Sequence, residues 1–232
     1  MNPWRQFWGR AHRIYVNDRH RDVHYRRVAD DIIAVLPSRG GATVLDYGSG
    51  DALEAPRVAE RVKRLYLFDA VQEVVTRLRA RFAGQPRIVV LGEAELAALR
   101  PASVDLVVVN SVVQYLQQAE LQAMLATARR LLRADGTLVV ADIIDPDAGA
   151  VADITALLRS AAANGFFLAA LGGLAATFFS DYRRLRQSVG LSTYREADFL
   201  RILSDAGFTA RRRETNFGFN PARMTFLASV RR

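Results

Sequence analysis

A short apolar run that ends in a glycine-rich turn constrains the fold of this chain more than any other feature. Residues 43–45 (Thr-Val-Leu) favour a buried strand, residues 46–50 read Asp-Tyr-Gly-Ser-Gly, and helix-forming residues follow. Two glycines this close together permit a tight loop and let a ligand approach the main chain. The pattern predicts a strand, a loop and a helix in an open α/β sheet, with a ligand at the carboxyl end of the strand.

The charges around this loop argue against a dinucleotide. Asp46 and Asp51 flank the loop, and their carboxylates would repel a pyrophosphate. The third glycine of a dinucleotide-binding G-x-G-x-x-G motif is also missing, because Leu53 stands at that position. The loop therefore favours a ligand that has a positive end and no phosphate.

The same residues resemble the first motif of the class I S-adenosylmethionine-dependent methyltransferases. Asp46, Gly48, Gly50 and Ala52 match that motif, with Ala52 replacing the more common third glycine. The resemblance implies that this loop, including Ser49, binds S-adenosylmethionine and releases S-adenosylhomocysteine as the product.

A second acid lies at the spacing expected for binding a ribose. Strand-forming residues 65–68 end at Asp69, which lies 21 positions after Gly48, and Ala70 follows. In nucleoside-binding α/β folds an acid about 20 residues after the loop accepts hydrogen bonds from the ribose hydroxyls. The alternative role for Asp69 is to cap the helix predicted over residues 71–82.

Two later segments resemble further motifs of the family. Glu93 and Ala94 follow the strand predicted at residues 87–91, and the resemblance implies that they contact the adenine; the alternative is an ordinary acid in the first turn of a helix. The strand predicted at residues 104–109 leads into the sequence Asn-Ser-Val-Val-Gln-Tyr. This match implies that Asn110 and Ser111 line the methionine part of the cofactor.

The end of the chain separates this fold from that of the dehydrogenases. A helix over 120–132, a turn over 133–136 and a strand over 137–144 are predicted, and a helix over 196–206 follows later. Residues 208–217 and 224–230 read as two strands joined by a short polar turn, which requires an antiparallel hairpin. The resemblance implies a Rossmann-like doubly wound sheet of seven strands in the order 3-2-1-4-5-7-6.

We expect one methyltransferase domain with two additions to its core. Residues 1–38 form an N-terminal helical cap, 42–144 the cofactor-binding core, 145–194 an insertion, and 195–232 the final helix and hairpin. In the cap, Tyr15 and His24 are pocket candidates, with ordinary helix packing as the alternative.

The insertion is unusually apolar. Residues 160–180 contain no charged side chain, which predicts a helical lid over an apolar pocket or, alternatively, a peripheral membrane contact or a homodimer surface. A lid of this kind predicts a hydrophobic or aromatic acceptor, because an apolar pocket selects its ligand mainly by shape.

Composition limits the chemistry. The chain has no cysteine, and its three histidines form no metal-binding pattern, so we expect no metal. The net charge of +8 comes from scattered arginines, which we interpret as a solvated surface and not as a nucleic-acid site. No secretory segment is visible at the N-terminus, which predicts a cytoplasmic protein.

These observations predict methyl transfer to an oxygen or nitrogen of a small acceptor. His24, Tyr115 and Tyr194 are the candidates for a general base, if the acceptor needs one. The alternatives are an RNA-directed methyltransferase, an NAD-type dehydrogenase and a non-catalytic, membrane-associated protein that binds the cofactor.

Overall fold

Seven strands form one mixed sheet in the computed structural model, which describes residues 4, 8, 15–148, 150–177 and 190–231. The strands are β1 (Thr43–Tyr47), β2 (Arg64–Phe68), β3 (Ile88–Leu91), β4 (Val104–Asn110), β5 (Leu132–Ile144), β6 (Phe208–Arg212) and β7 (Arg223–Val230). Their order in the sheet is β3-β2-β1-β4-β5-β7-β6. The predicted fold and strand order are therefore confirmed.

Helices flank the sheet and connect its parallel strands. They are α1 (Asp18–Ala34), α2 (Ala55–Ala59), α3 (Gln72–Arg81), α4 (Glu93–Ala98), α5 (Gln118–Leu131), α6 (Ala150–Asn164), α7 (Phe167–Thr177) and α8 (Glu196–Asp205). A short 3₁₀ helix, Val113–Tyr115, follows β4.

The centre of the sheet is apolar because helices cover both of its faces. In β4, six of the seven residues are buried, and β1 pairs in parallel with both β2 and β4. The parallel strands β1, β2 and β4 consequently end at one edge of the sheet. That edge carries the glycine-rich loop and the segment that begins at Asn110.

Two predicted boundaries at the end of the chain are wrong. Residues 133–136 are not a separate turn: β5 already begins at Leu132, and its pairing with β4 is irregular at this point. The strand predicted to reach Phe217 ends at Arg212. Asn216 explains the early end, because its side-chain amide donates to the carbonyls of Phe217 and Asn220 and folds the chain back.

The described part of the apolar insertion forms two helices that pack on the cap. Gly165 (φ +73°) separates α6 from α7, and Phe166 stacks on His20 of α1 with the ring centroids 4.9 Å apart. On α7, Leu168 is 82% exposed. Within the described part of the chain, no helix has both the length and the apolar character needed to cross a membrane.

Candidate functional site

A cavity of about 500 Å³ opens at the edge of the sheet where β1, β2 and β4 end. The glycine-rich loop and the first residues after β2 form its floor. Helix α1 forms one wall, and the segment after β4 forms the opposite wall.

The loop between β1 and α2 depends on its glycines. Gly48 (φ +78°) and Gly50 (φ +56°) have left-handed backbone conformations. The backbone N–H groups of Gly48 and Ser49 both donate to the carbonyl of Phe68, at 2.7 and 3.1 Å. A Cβ atom on Gly48 would lie 2.4 Å from a methyl carbon of Val112, so the loop could not lie this close to the opposite wall with a larger residue.

Asp69 connects the glycine-rich loop to the next helix. One carboxylate oxygen accepts the N–H of Gly50 at 3.2 Å, and the other accepts the N–H of Val71 at 2.9 Å. Both of the predicted roles are thus compatible, since Asp69 supports the start of α3 and also lines the cavity. Burial raises the pKa of Asp69, although these two hydrogen bonds oppose the rise.

Asp46 lies at the end of β1 in the same cavity. Burial and, to a lesser degree, the nearby carboxylate of Asp69 raise the pKa of Asp46 to about 7. Within the described part of the chain, no hydrogen bond or ion pair to the Asp46 carboxylate is found. A cationic ligand would supply the missing positive charge.

Helix α1 contributes an aromatic wall. The Asp51 N–H donates to the Tyr25 hydroxyl at 3.2 Å, and the ring centroids of Tyr15 and Tyr25 lie 6.0 Å apart. Burial, together with neighbouring His20, lowers the pKa of His24 to about 4, so its imidazole is neutral near pH 7. Sequence analysis missed Tyr25, because only the tertiary fold brings α1 over the loop.

The segment after β4 forms the opposite wall. Ser111 has a left-handed backbone (φ +58°), and its hydroxyl donates to the carboxylate of Asp142 at 2.8 Å. Tyr115 meets Trp8 edge to face, with the ring centroids 5.7 Å apart. Asp142 was also missed, because in the sequence it is one polar residue inside an apolar strand.

Most of the candidate residues lie together around the cavity. Those that line it are Tyr15, His24, Asp46, Gly48, Ser49, Gly50, Asp69, Ala70, Asn110, Ser111 and Tyr115.

Three candidates and the insertion lie elsewhere. Glu93 and Ala94 are exposed in the first turn of α4 and do not line the cavity, because the start of this helix faces solvent. Tyr194 packs on Phe199 instead. No described residue of the insertion lines the cavity, so its helices form a second layer outside α1.

The residues present fit a nucleoside that carries a positive charge. The Ser49 hydroxyl is buried at the cavity without a hydrogen-bond partner in the described part of the chain. Asp69 has oxygen lone pairs left for ribose hydroxyls, and Asp46 can provide a negative charge.

Comparison with known sequences supports a methyltransferase domain. Residues 45–140 match the protein family described as "Methyltransferase domain". An uncharacterized methyltransferase of Mycobacterium tuberculosis, Rv0089, is 29% identical over 125 residues. That match covers 54% of this chain and 60% of the relative's length.

Solved structures show the same fold. A putative methyltransferase of Haloferax volcanii, solved in complex with the Trm112 methyltransferase activator, has a TM-score of 0.61 at 17% identity, and the match covers 91% of each chain. Magnesium protoporphyrin IX methyltransferase of Synechocystis PCC 6803, solved with bound S-adenosylhomocysteine, has a TM-score of 0.58 at 20% identity, covering 99% of this chain and 93% of that one.

Proposed function

We propose that this chain is a class I S-adenosylmethionine-dependent methyltransferase that transfers a methyl group from S-adenosylmethionine to an oxygen or nitrogen of a small apolar or aromatic acceptor. The proposal rests mainly on one observation. Two partly buried carboxylates, Asp46 and Asp69, stand at the ends of adjacent strands in one cavity whose opposite side is aromatic.

The two carboxylates suit different parts of the cofactor. Asp69 would accept hydrogen bonds from the ribose hydroxyls, while its contacts with Gly50 and Val71 hold it in place. Asp46 would face the positively charged part of the molecule, and Ser49 would supply a further hydroxyl. When bound, S-adenosylmethionine supplies a methyl group that is already electrophilic.

The aromatic side of the cavity supports an apolar acceptor. Tyr115 lines the cavity together with four aromatic residues of the cap, Trp4, Trp8, Tyr15 and Tyr25. Aromatic walls select flat or apolar molecules by shape and exclude water, so the residues mainly align the acceptor for transfer. We propose a small-molecule acceptor and no nucleic acid.

His24 is our candidate for the proton acceptor. Its neutral imidazole can take a proton from an acceptor hydroxyl or ammonium group, whereas an imidazolium could not. Tyr115 would orient the acceptor from the opposite wall. Helices α6 and α7 support this arrangement from outside, because Phe166 stacks on His20 next to the cavity.

Calorimetric titration with S-adenosylhomocysteine tests the proposal. We expect the wild-type protein to bind it, and we expect Asp69→Ala to weaken binding about 100-fold, because two charge-assisted hydrogen bonds to the ribose are lost. Asp69→Asn keeps one side-chain oxygen and is the matched control, with an intermediate loss.

NAD serves as the competing ligand in the same titration. Binding of NAD without binding of S-adenosylhomocysteine would refute the proposal in favour of a dehydrogenase. Equal affinities of the wild type and Asp69→Ala for S-adenosylhomocysteine would refute the role of Asp69.

A further inference from the structure

An unusual pair of residues joins the ends of β4 and β5. Ser111 (φ +58°) and Asp142 (φ +63°) both have left-handed backbones, although neither is glycine. A left-handed backbone is strained at residues other than glycine, and strain of this kind persists only where surrounding contacts impose it. The Ser111 hydroxyl donates to the Asp142 carboxylate at 2.8 Å, so the two strained residues hold each other.

A bulge in β5 turns Asp142 toward Ser111. Val140 of β5 pairs with Phe226 of β7, and Ile143 pairs with Met224. Between these two pairs, β5 has two residues and β7 has one, so β5 carries one additional residue. The additional residue in β5 bends the strand and redirects a side chain at this point. Asp142 occupies the bulge, where an ordinary strand position would pair it in the ladder.

Asn216 stabilises the bulge from the turn between β6 and β7. Its side-chain oxygen accepts the Asp142 N–H at 3.3 Å and the Thr225 hydroxyl at 2.7 Å. Its amide group donates to the carbonyls of Phe217 and Asn220. The position of Asp142 is therefore fixed by residues from three separate parts of the chain.

Ser111 connects Asp142 to the cavity wall. Its N–H donates to the carbonyl of Ala141 at 3.2 Å, and its own carbonyl accepts from the Gln114 side chain at 3.4 Å. Ser111 and Gln114 both line the cavity, but Asp142 does not. Asp142 therefore meets the cavity wall through its contact with Ser111.

We infer that Asp142 is a positioning residue that holds Ser111 and the wall after β4 against the amino-acid end of the cofactor. The inference rests on the proposed function, which places the ribose at Asp69 beyond the end of β2. Since β1 lies between β2 and β4 in the sheet, the wall at Ser111 faces the other end of the ligand.

Two probes separate positioning from general support of the fold. S-adenosylhomocysteine contains the amino-acid end, whereas 5′-methylthioadenosine keeps the nucleoside and the sulfur but lacks that end. For Asp142→Ala we expect about tenfold weaker binding of S-adenosylhomocysteine in calorimetry, and unchanged binding of 5′-methylthioadenosine. A purely structural role would change both affinities together.

Asp142→Asn is the matched control. Asparagine tolerates the left-handed backbone, and its side-chain oxygen still accepts the Ser111 hydroxyl, so we expect affinity within about threefold of the wild type. Ser111→Ala should resemble Asp142→Ala, and the double variant should bind no more weakly than either single variant, because the two residues act as one unit.

Three results would overturn the inference. They are wild-type affinity of Asp142→Ala for S-adenosylhomocysteine, an equal loss for both probes, and an Asp142→Asn variant as weak as Asp142→Ala. Failure of the wild-type protein to bind S-adenosylhomocysteine would instead refute the proposed function, so the two failures are distinguishable.

Discussion

The buried carboxylates at the two edges of the sheet differ in whether they have charged partners. At the edge where β4 begins, Asp105 is 2% exposed, accepts the N–H of Thr43 at 2.7 Å and pairs with Arg39 and Arg133 at 2.5 and 2.9 Å. At the opposite edge, Asp46 has no such partner within the described residues, and its pKa rises to about 7.

This difference separates the edge that supports the fold from the edge where we propose that the ligand binds. A buried carboxylate whose hydrogen bonds are all made contributes to stability and has little left for a ligand. A carboxylate kept without a counter-charge destabilises the free protein, but it gains that interaction when a cation binds. The same residue type thus serves the fold at one edge and, in the function that we propose, ligand binding at the other.

Removal of the paired acid gives the largest effect that we expect. Asp105→Ala leaves the Thr43 N–H and Arg133 without their acceptor and removes one of the two acids that pair with Arg39, which should cost about 3 kcal/mol of unfolding free energy and lower the Tm by about 10 °C. Affinity for S-adenosylhomocysteine should not change, because Asp105 lies at the edge away from the cavity. Calorimetric unfolding and ligand titration measure the two quantities.

Asp135→Ala is the control for this variant. Asp135 also pairs with Arg39, at 2.7 Å, but its side chain is 57% exposed. Solvent screens an exposed ion pair, so we expect only a small change in Tm. Equal losses for Asp105→Ala and Asp135→Ala would contradict the comparison, as would a loss of ligand affinity in Asp105→Ala.

Replacement of the unpaired acid should have the opposite effect on stability. Because the pKa of Asp46 is raised to about 7 in the folded protein, the folded state binds more protons than the unfolded state between about pH 4 and pH 7. Stability from this group is therefore present below that range and is lost as the pH rises through about 7. At pH 8 we expect Asp46→Asn to raise the Tm of the ligand-free protein by about 5 °C.

The same substitution should weaken cofactor binding. As Asp46 ionises between pH 6 and 7.5, the wild-type affinity for S-adenosylmethionine should rise about fivefold, because a cation favours the carboxylate form. Asp46→Asn should show no such rise in calorimetric titrations. A variant that is less stable than the wild type at pH 8, or that keeps the wild-type pH dependence of binding, would refute this role of Asp46.

The comparison also explains what could be predicted from the sequence. The apolar strands and the glycine-rich loop are local patterns, so they predicted the fold and the positions of Asp46 and Asp69. Glu93 fits a local motif equally well but faces solvent, because the pattern does not specify the orientation of the first turn of α4.

Other parts of the site depend on contacts between distant segments. Tyr25 reaches the loop only because α1 packs over it, and its contact with Asp51 spans 26 positions in the sequence. The Ser111–Asp142 pair requires left-handed backbones at residues that are not glycine, which no local signal marks. The sequence therefore predicted the floor of the cavity better than its walls.

His24 provides the smallest and most specific test of the binding edge. Because its pKa falls to about 4 in the folded protein, the unfolded state binds more protons between about pH 4 and pH 6.5. Stability from the neutral imidazole is fully present above about pH 6.5 and is lost as the pH falls toward 4. His24→Gln has no such loss, so its Tm should fall about 3 °C less than that of the wild type between pH 7.5 and pH 5. His20→Gln is the matched control with a smaller expected change, since burial alone lowers the pKa of His20, whereas burial and a neighbouring histidine together lower that of His24. Identical acid sensitivity of His24→Gln and the wild type would show that folding does not lower the pKa of His24, and would contradict its burial as a neutral imidazole.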